Sequence, residues 1–232
     1  MFTKRPVPRG QLGHTDMVSL AATLRIGQAL RQYDLDFDGA PAPSPIPPRL
    51  LILACSATKA SGLGMAARDR YDGPLWQSLR VADPDASRAW VAFLSARYGL
   101  GAASAELPAY DAVLNRRSAA AMAEAGIHRL HPEIALTQKT AAGRERAIKA
   151  AGPRFCARGT VQVMVNQLQQ PFRDVAICGG RHYVDVAQAY VAELKEAGLI
   201  AQAAPVAVIN DEIGFMRAGL KAWLTAHDGA EA

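Results

Sequence analysis

The stretch LLILACSATK, residues 50–59, decides how the rest of the chain is read. Its first six residues form a short continuous apolar run, the pattern of a strand buried on both faces and therefore of a parallel sheet. The run stops at Cys55-Ser56 and leaves Lys59 in the loop that follows. Working outward, similar runs return in WVAFLSA (90–96), DVAICGG (174–180) and PVAVI (205–209). Between and after them lie helical patterns. GPLWQSLRVA (73–82) has Pro74 suited to a first turn, and YVDVAQAYVAEL (183–194) carries a stripe of Tyr183, Val186, Tyr190 and Leu194. IGFMRAGLKAWL (213–224) sets Ile213, Met216, Leu220 and Trp223 in register. Strands alternating with helices imply parallel strands joined by crossovers. The expected fold is α/β, a three-layer Rossmann-like domain over 49–227 with a short, mostly parallel sheet. Residues 116–170 hold no convincing strand and read as a helical insertion; TVQVMVNQLQQ (160–170) is β-branched, but its length and place favour helix.

Ahead of this domain, residues 1–48 read as an appendage. A basic arm with Lys4, Arg5 and Arg9 leads into a helical pattern (15–32), with Thr15 as N-cap and Met17, Leu20, Ala21 and Leu24 on one face. The proline-rich DGAPAPSPIPPR (38–49) follows, extended because proline fixes φ and removes donors.

Composition narrows the function classes. A net charge of +5 permits a polyanionic partner without requiring one. Cys55, Cys156 and Cys178 are few and widely spaced, which fits reduced thiols. No apolar run approaches the roughly 20 residues that span a bilayer, and the N-terminus lacks a signal's apolar core, so the expected location is cytoplasmic with no membrane partner. No metal and no cofactor is expected. His128 and His131 lack a recognisable ligand set and read as helix-end surface residues.

Ligands of open parallel sheets bind beyond the carboxyl ends of the strands, so three strand ends become one candidate crevice. At the first, Ser56, Thr58 and Lys59 suit a phosphate or carboxylate. Lys59 reads as an anion-binding or catalytic amine, and Cys55 either as a nucleophile or as a small wall residue. The glycines Gly62 and Gly64 follow the lysine, so this is no P-loop. The second end, Ser95 and ARYGLGAASAELPAYD (96–111), reads as a long structured loop. Arg97 is placed to pair with an anion, Tyr98 or Tyr110 to stack on a base, and Glu106 or Asp111 to act as general base. Equally, Tyr110 and Asp111 could only lock the loop and cap a helix. The third end, CGGRHY (178–183), sets Gly179 and Gly180 before a helix start with His182 and Tyr183 beside it.

Five motifs occur in order: C-S-x-x-K at Cys55–Lys59, Tyr71–Trp76, S-A-x-Y-G-L at Ser95–Leu100, P-x-Y-D at Pro108–Asp111 and G-x-x-Y at Gly180–Tyr183. Together with DEIGFMRAGLKAWL (211–224), this order resembles a poorly characterised bacterial and phage family similar to the peroxide-stress protein YaaA, over about residues 50–225. A similar cysteine-and-lysine element occurs in archaeosine-type tRNA-modifying enzymes, and relatives look associated with DNA or nucleotide metabolism. The resemblance adds Tyr71 and Gly99 to the candidate site. The expected partner is a nucleotide, nucleoside or nucleic acid. The expected function is an enzyme that cleaves a glycosyl bond or modifies a base, free or within DNA or tRNA. The alternative is a non-catalytic DNA- or nucleotide-binding stress protein.

Overall fold

The computed structural model describes residues 46–226, apart from 135, 136 and 138. The basic arm, the helical pattern at 15–32 and most of the proline-rich linker lie outside the described residues. Four strands run parallel: β1 (Arg49–Ala54), β3 (Trp90–Ser95), β6 (Asp174–Cys178) and β7 (Val206–Ile209). A fifth, β4 (Gly99–Ala102), pairs antiparallel with β3, giving the order β4-β3-β1-β6-β7. A separate two-stranded ribbon joins β2 (Met65–Ala66) to β5 (Glu106–Leu107).

Period-two alternation divides the central strand between two cores. Leu50 and Ile52 enter one cluster, while Leu51 and Leu53 enter the other. The first cluster is closed by α3 (Arg116–Ala125), α5 (Ala157–Leu168) and α6 (Arg181–Glu196), through Met122, Val161 and Tyr190 among others. The second is closed by α2 (Pro74–Ala82) and α7 (Ile213–Thr225), through Trp76, Leu79, Met216 and Leu220. Two further helices complete the described elements: the one-turn α1 (Ala67–Arg70) and α4 (Ala141–Ala151). Helices on both faces of a mostly parallel sheet are the three-layer α/β architecture expected from the alternation. No helix among the described residues is long and apolar enough to cross a membrane.

Three local readings change. The segment 96–111 is not one loop: it holds β4 and half of the ribbon. GLGA lacks β-branched residues, so nothing in its composition announces a strand. On α7 the buried stripe is Met216, Leu220 and Leu224, whereas Ile213 is 47% exposed. His131 is buried, not a surface histidine: its main chain pairs with Phe155 in both directions at 2.8 Å, and its ring stands behind Gly99. The middle segment behaves as expected, with TVQVMVNQLQQ forming most of α5.

Candidate functional site

The carboxyl edge of the sheet is assembled by close backbone approaches. The last carbonyl of β1, on Ala54, accepts a 2.8 Å bond from the Trp76 indole. Gly179, just after β6, lies so near that a Cβ there would sit 2.4 Å from that of Ala54. At the head of α2, a Cβ on Gly73 would meet Ser56 Oγ at 2.3 Å. Glycine at these two positions is a steric demand. The Asn210 side chain, beyond β7, donates to the Gly179 carbonyl at 2.6 Å.

The loop after β1 is pinned rather than loose. Lys59 and Tyr71 form an antiparallel bridge, with Asp72 N donating to Thr58 O at 3.0 Å and Ala60 N to Arg70 O at 2.8 Å. Arg70 is fully buried and spends its guanidinium on the carbonyls of Ala60, Gly62 and Leu107, at 2.8, 2.8 and 2.9 Å. It ties the lysine loop to β5 from beneath.

The β3–β4 connection is a hairpin with Ser95 opposite Gly99. Ser95 Oγ accepts from the main-chain N–H of Arg97 at 3.1 Å and of Tyr98 at 3.2 Å, the local serine turn that closes such loops. Gly99 takes φ +61°, the left-handed region that ends a three-residue hairpin loop. Much of S-A-x-Y-G-L is therefore hairpin chemistry.

Above this frame six polar side chains meet. The Tyr110 hydroxyl lies 2.8 Å from Ser95 Oγ and 2.5 Å from the Tyr71 hydroxyl. Cys55 Sγ lies 3.3 Å from the Tyr183 hydroxyl. The Lys59 ammonium stands 4.7 Å from the centroid of the Tyr110 ring and donates to the Ala57 carbonyl at 3.4 Å. Burial pushes the Tyr71, Tyr110 and Tyr183 phenols above their ordinary range, and their crowding with one another and with Cys55 raises them further. They stay protonated at neutral pH and act as hydrogen-bond donors, not bases. Cys178 is pushed up to about 12 by burial alone, so that thiol is an inert core group.

The structure thus brings together Cys55, Lys59, Tyr71, Ser95, Tyr110 and Tyr183. Ser56 and Thr58 belong to the same loop, Ser56 against Gly73 and Thr58 exposed. Gly179, Gly180 and His182 lie at the head of α6; Gly180 is its N-cap, has no side-chain cap bond, and faces open space where a Cβ would stand. Five nominated residues have other surroundings. Tyr98 is 1% exposed, its ring edge-on to Tyr110 at 4.9 Å and to Phe155 at 6.3 Å, so its face is closed to a base. Arg97 stacks near the Tyr98 ring at 5.4 Å with Nε buried and unpartnered. Glu106 is exposed on the ribbon beside Gly64, and Asp111 is exposed with no hydrogen bond or ion pair among the described residues. Gly99 serves the hairpin. Sequence reasoning passed over Arg70 and Asn210, and named Trp76 only as the end of a motif. Only the R-Y-D-G-P spacing, which sets Arg70 directly before Tyr71, hinted at the first of them.

No family model, no curated protein and no solved structure matches this chain.

Proposed function

We propose that this protein is an enzyme acting on a nucleobase, nucleoside or nucleotide at the carboxyl edge of its sheet, by glycosyl-bond cleavage or base modification. The observation that carries the reading is the cluster of Cys55, Lys59 and the Tyr71, Tyr110 and Tyr183 hydroxyls at that edge. Neutral phenols donate to the carbonyl oxygens or ring nitrogens of a base. The Lys59 ammonium and the main-chain N–H groups opening α6 suit a phosphate. Cys55 is half-buried with a phenol at its sulfur, a position from which a thiol serves as nucleophile or proton-transfer group. The resemblance of five ordered motifs to a family linked with nucleic-acid metabolism supports the same substrate class.

One observation favours a second reading, a non-catalytic nucleotide- or DNA-binding protein. Neither Glu106 nor Asp111, the carboxylates nominated as general base, joins the cluster. One experiment separates the two: mass spectrometry of pooled nucleosides, nucleotides, modified DNA and tRNA after incubation with the protein, its Lys59→Ala variant and its Cys55→Ser variant. The expected result is a product that both variants lose. Retained binding of nucleotide or DNA with no product from any pool overturns the catalytic reading and installs the second.

A further inference from the structure

The charge of this chain is not spread evenly. Seven of its 26 Lys and Arg but only two of its 21 Asp and Glu fall between His128 and Arg158, so this segment carries the whole net charge of +5 and the remainder is balanced. At its centre stands α4, which contributes no buried residue to either core. Arg144, Arg146 and Lys149 on this helix are exposed, as are Lys139, Arg154 and Arg158 around it. Glu133, one of the segment's two acids, is drawn off locally in an ion pair with Arg129 at 2.6 Å. The helix buries no residue fully, yet its ends are well made: Thr140 caps the start, accepting from Gly143 N at 3.1 Å, and Gly152 closes the end at φ +78°.

That end meets the candidate site. A Cβ on Gly152 would stand 3.5 Å from Pro108 and 3.6 Å from the Tyr98 hydroxyl. Pro108 begins the segment that carries Tyr110, and Tyr98 packs edge-on to the Tyr110 ring. The basic helix therefore terminates against the loop that holds the hydroxyl cluster.

We propose that α4 and its flanks form a phosphate-backbone docking surface that presents a polymeric nucleic acid to the carboxyl-edge site. The inference deepens the nucleobase reading, on which it rests for the identity of the target. Dispersed cations on an exposed helix bind a repeating polyanion by releasing its counterions, and they read no sequence. A single free nucleotide would not need charge spread from Lys139 to Arg158. A membrane-surface helix would carry a broad face of large apolar side chains; the apolar residues of α4 are alanines and one Ile148.

The test reads binding rather than turnover, so it fails or succeeds apart from the catalytic proposal. Fluorescence anisotropy of the full chain is measured against a labelled duplex and a labelled single strand of about 20 nucleotides, in DNA and RNA, over a salt series. The triple variant Arg146→Gln, Lys149→Gln, Arg154→Gln is compared, with Arg146→Lys, Arg154→Lys as the charge-preserving control. Removing three phosphate contacts is expected to lower the magnitude of the salt slope on duplex DNA by roughly 2–3 and to weaken binding at least about tenfold. The control is expected to bind like the wild type, and all variants to share its far-ultraviolet circular dichroism. Failure of the wild type to bind any of the four probes at low salt overturns the proposal. So does an unchanged slope in the triple variant, or binding confined to vesicles of anionic phospholipid.

Discussion

Replacing Ser95 by alanine removes a single oxygen from a fully buried position, yet that oxygen organises both the β3–β4 hairpin and the site cluster. Three partners lose their contact together: the main-chain N–H of Arg97, that of Tyr98, and the Tyr110 hydroxyl. A net intramolecular hydrogen bond is worth about 1 kcal/mol, and a buried donor left without an acceptor costs about 1–3 kcal/mol. Ser95→Ala is accordingly expected to destabilise by about 2–4 kcal/mol, a large share of the roughly 5–15 kcal/mol typical of a domain. With a urea m-value of about 2 kcal/mol/M, the midpoint falls by roughly 1–2 M at constant slope. Tyr110→Phe is the internal comparison. It leaves both main-chain bonds to Ser95 in place but takes a partner from the buried Tyr71 hydroxyl, and is expected to cost about 1–2 kcal/mol. If Ser95→Ala costs no more than Tyr110→Phe, the serine is not closing the hairpin, and the reading of S-A-x-Y-G-L as turn chemistry fails.

Three further outcomes follow from the same frame. Gly73→Ala forces a Cβ to within 2.3 Å of Ser56 Oγ, so the head of α2 and the lysine loop must part; the altered loop should appear as new protease cleavage near residues 57–64 at unchanged secondary structure. Arg70→Met strands three carbonyls and is expected to destabilise by about 3–5 kcal/mol in urea titration. His131 has a folded-state pKa below its ordinary value, because burial outweighs the opposing pull of Glu133, with a smaller push in the same direction from the nearby Arg129 charge. The unfolded chain therefore takes up the proton first as pH falls. The stability is fully present above about 6.5 and declines as pH drops from there toward the depressed value. A flatter urea midpoint between about pH 7.5 and 5.5 in His131→Gln checks it, and an identical slope in both proteins refutes it.

The layers were legible because strands buried on both faces must be apolar throughout, as LLILA, WVAFL and VAIC are. What escaped was structure made without β-branched residues, such as Gly99–Ala102, and two-residue strands too short for any period. At the site, residue type marked the right tyrosines but could not sort them. Tyr98 and Tyr110 are the same side chain in one segment, and one is closed to ligand while the other sits beneath Lys59. The difference is made by Phe155 and Gly152, which return from the far end of the insertion to pack over Tyr98. No local window contains both.

That sorting bears on which motif residues have a function left to explain. Ser95, Gly73, Gly99 and Arg70 are accounted for by the fold, since each meets a steric or hydrogen-bonding demand of the backbone. Cys55 and Lys59 are not. Cys55 is half-buried, and its sulfur makes a weak 3.3 Å contact with the Tyr183 hydroxyl. Lys59 gives up one long bond to Ala57 and a half-exposed contact with an aromatic ring, worth about 0.5–1 kcal/mol. Cys55→Ala and Lys59→Ala are each expected to stay within about 1 kcal/mol of the wild type in urea titration, while losing ligand binding or turnover. A loss of stability in either variant as large as that of Ser95→Ala would make these residues part of the frame. The nucleobase reading would then lose the two side chains on which it depends.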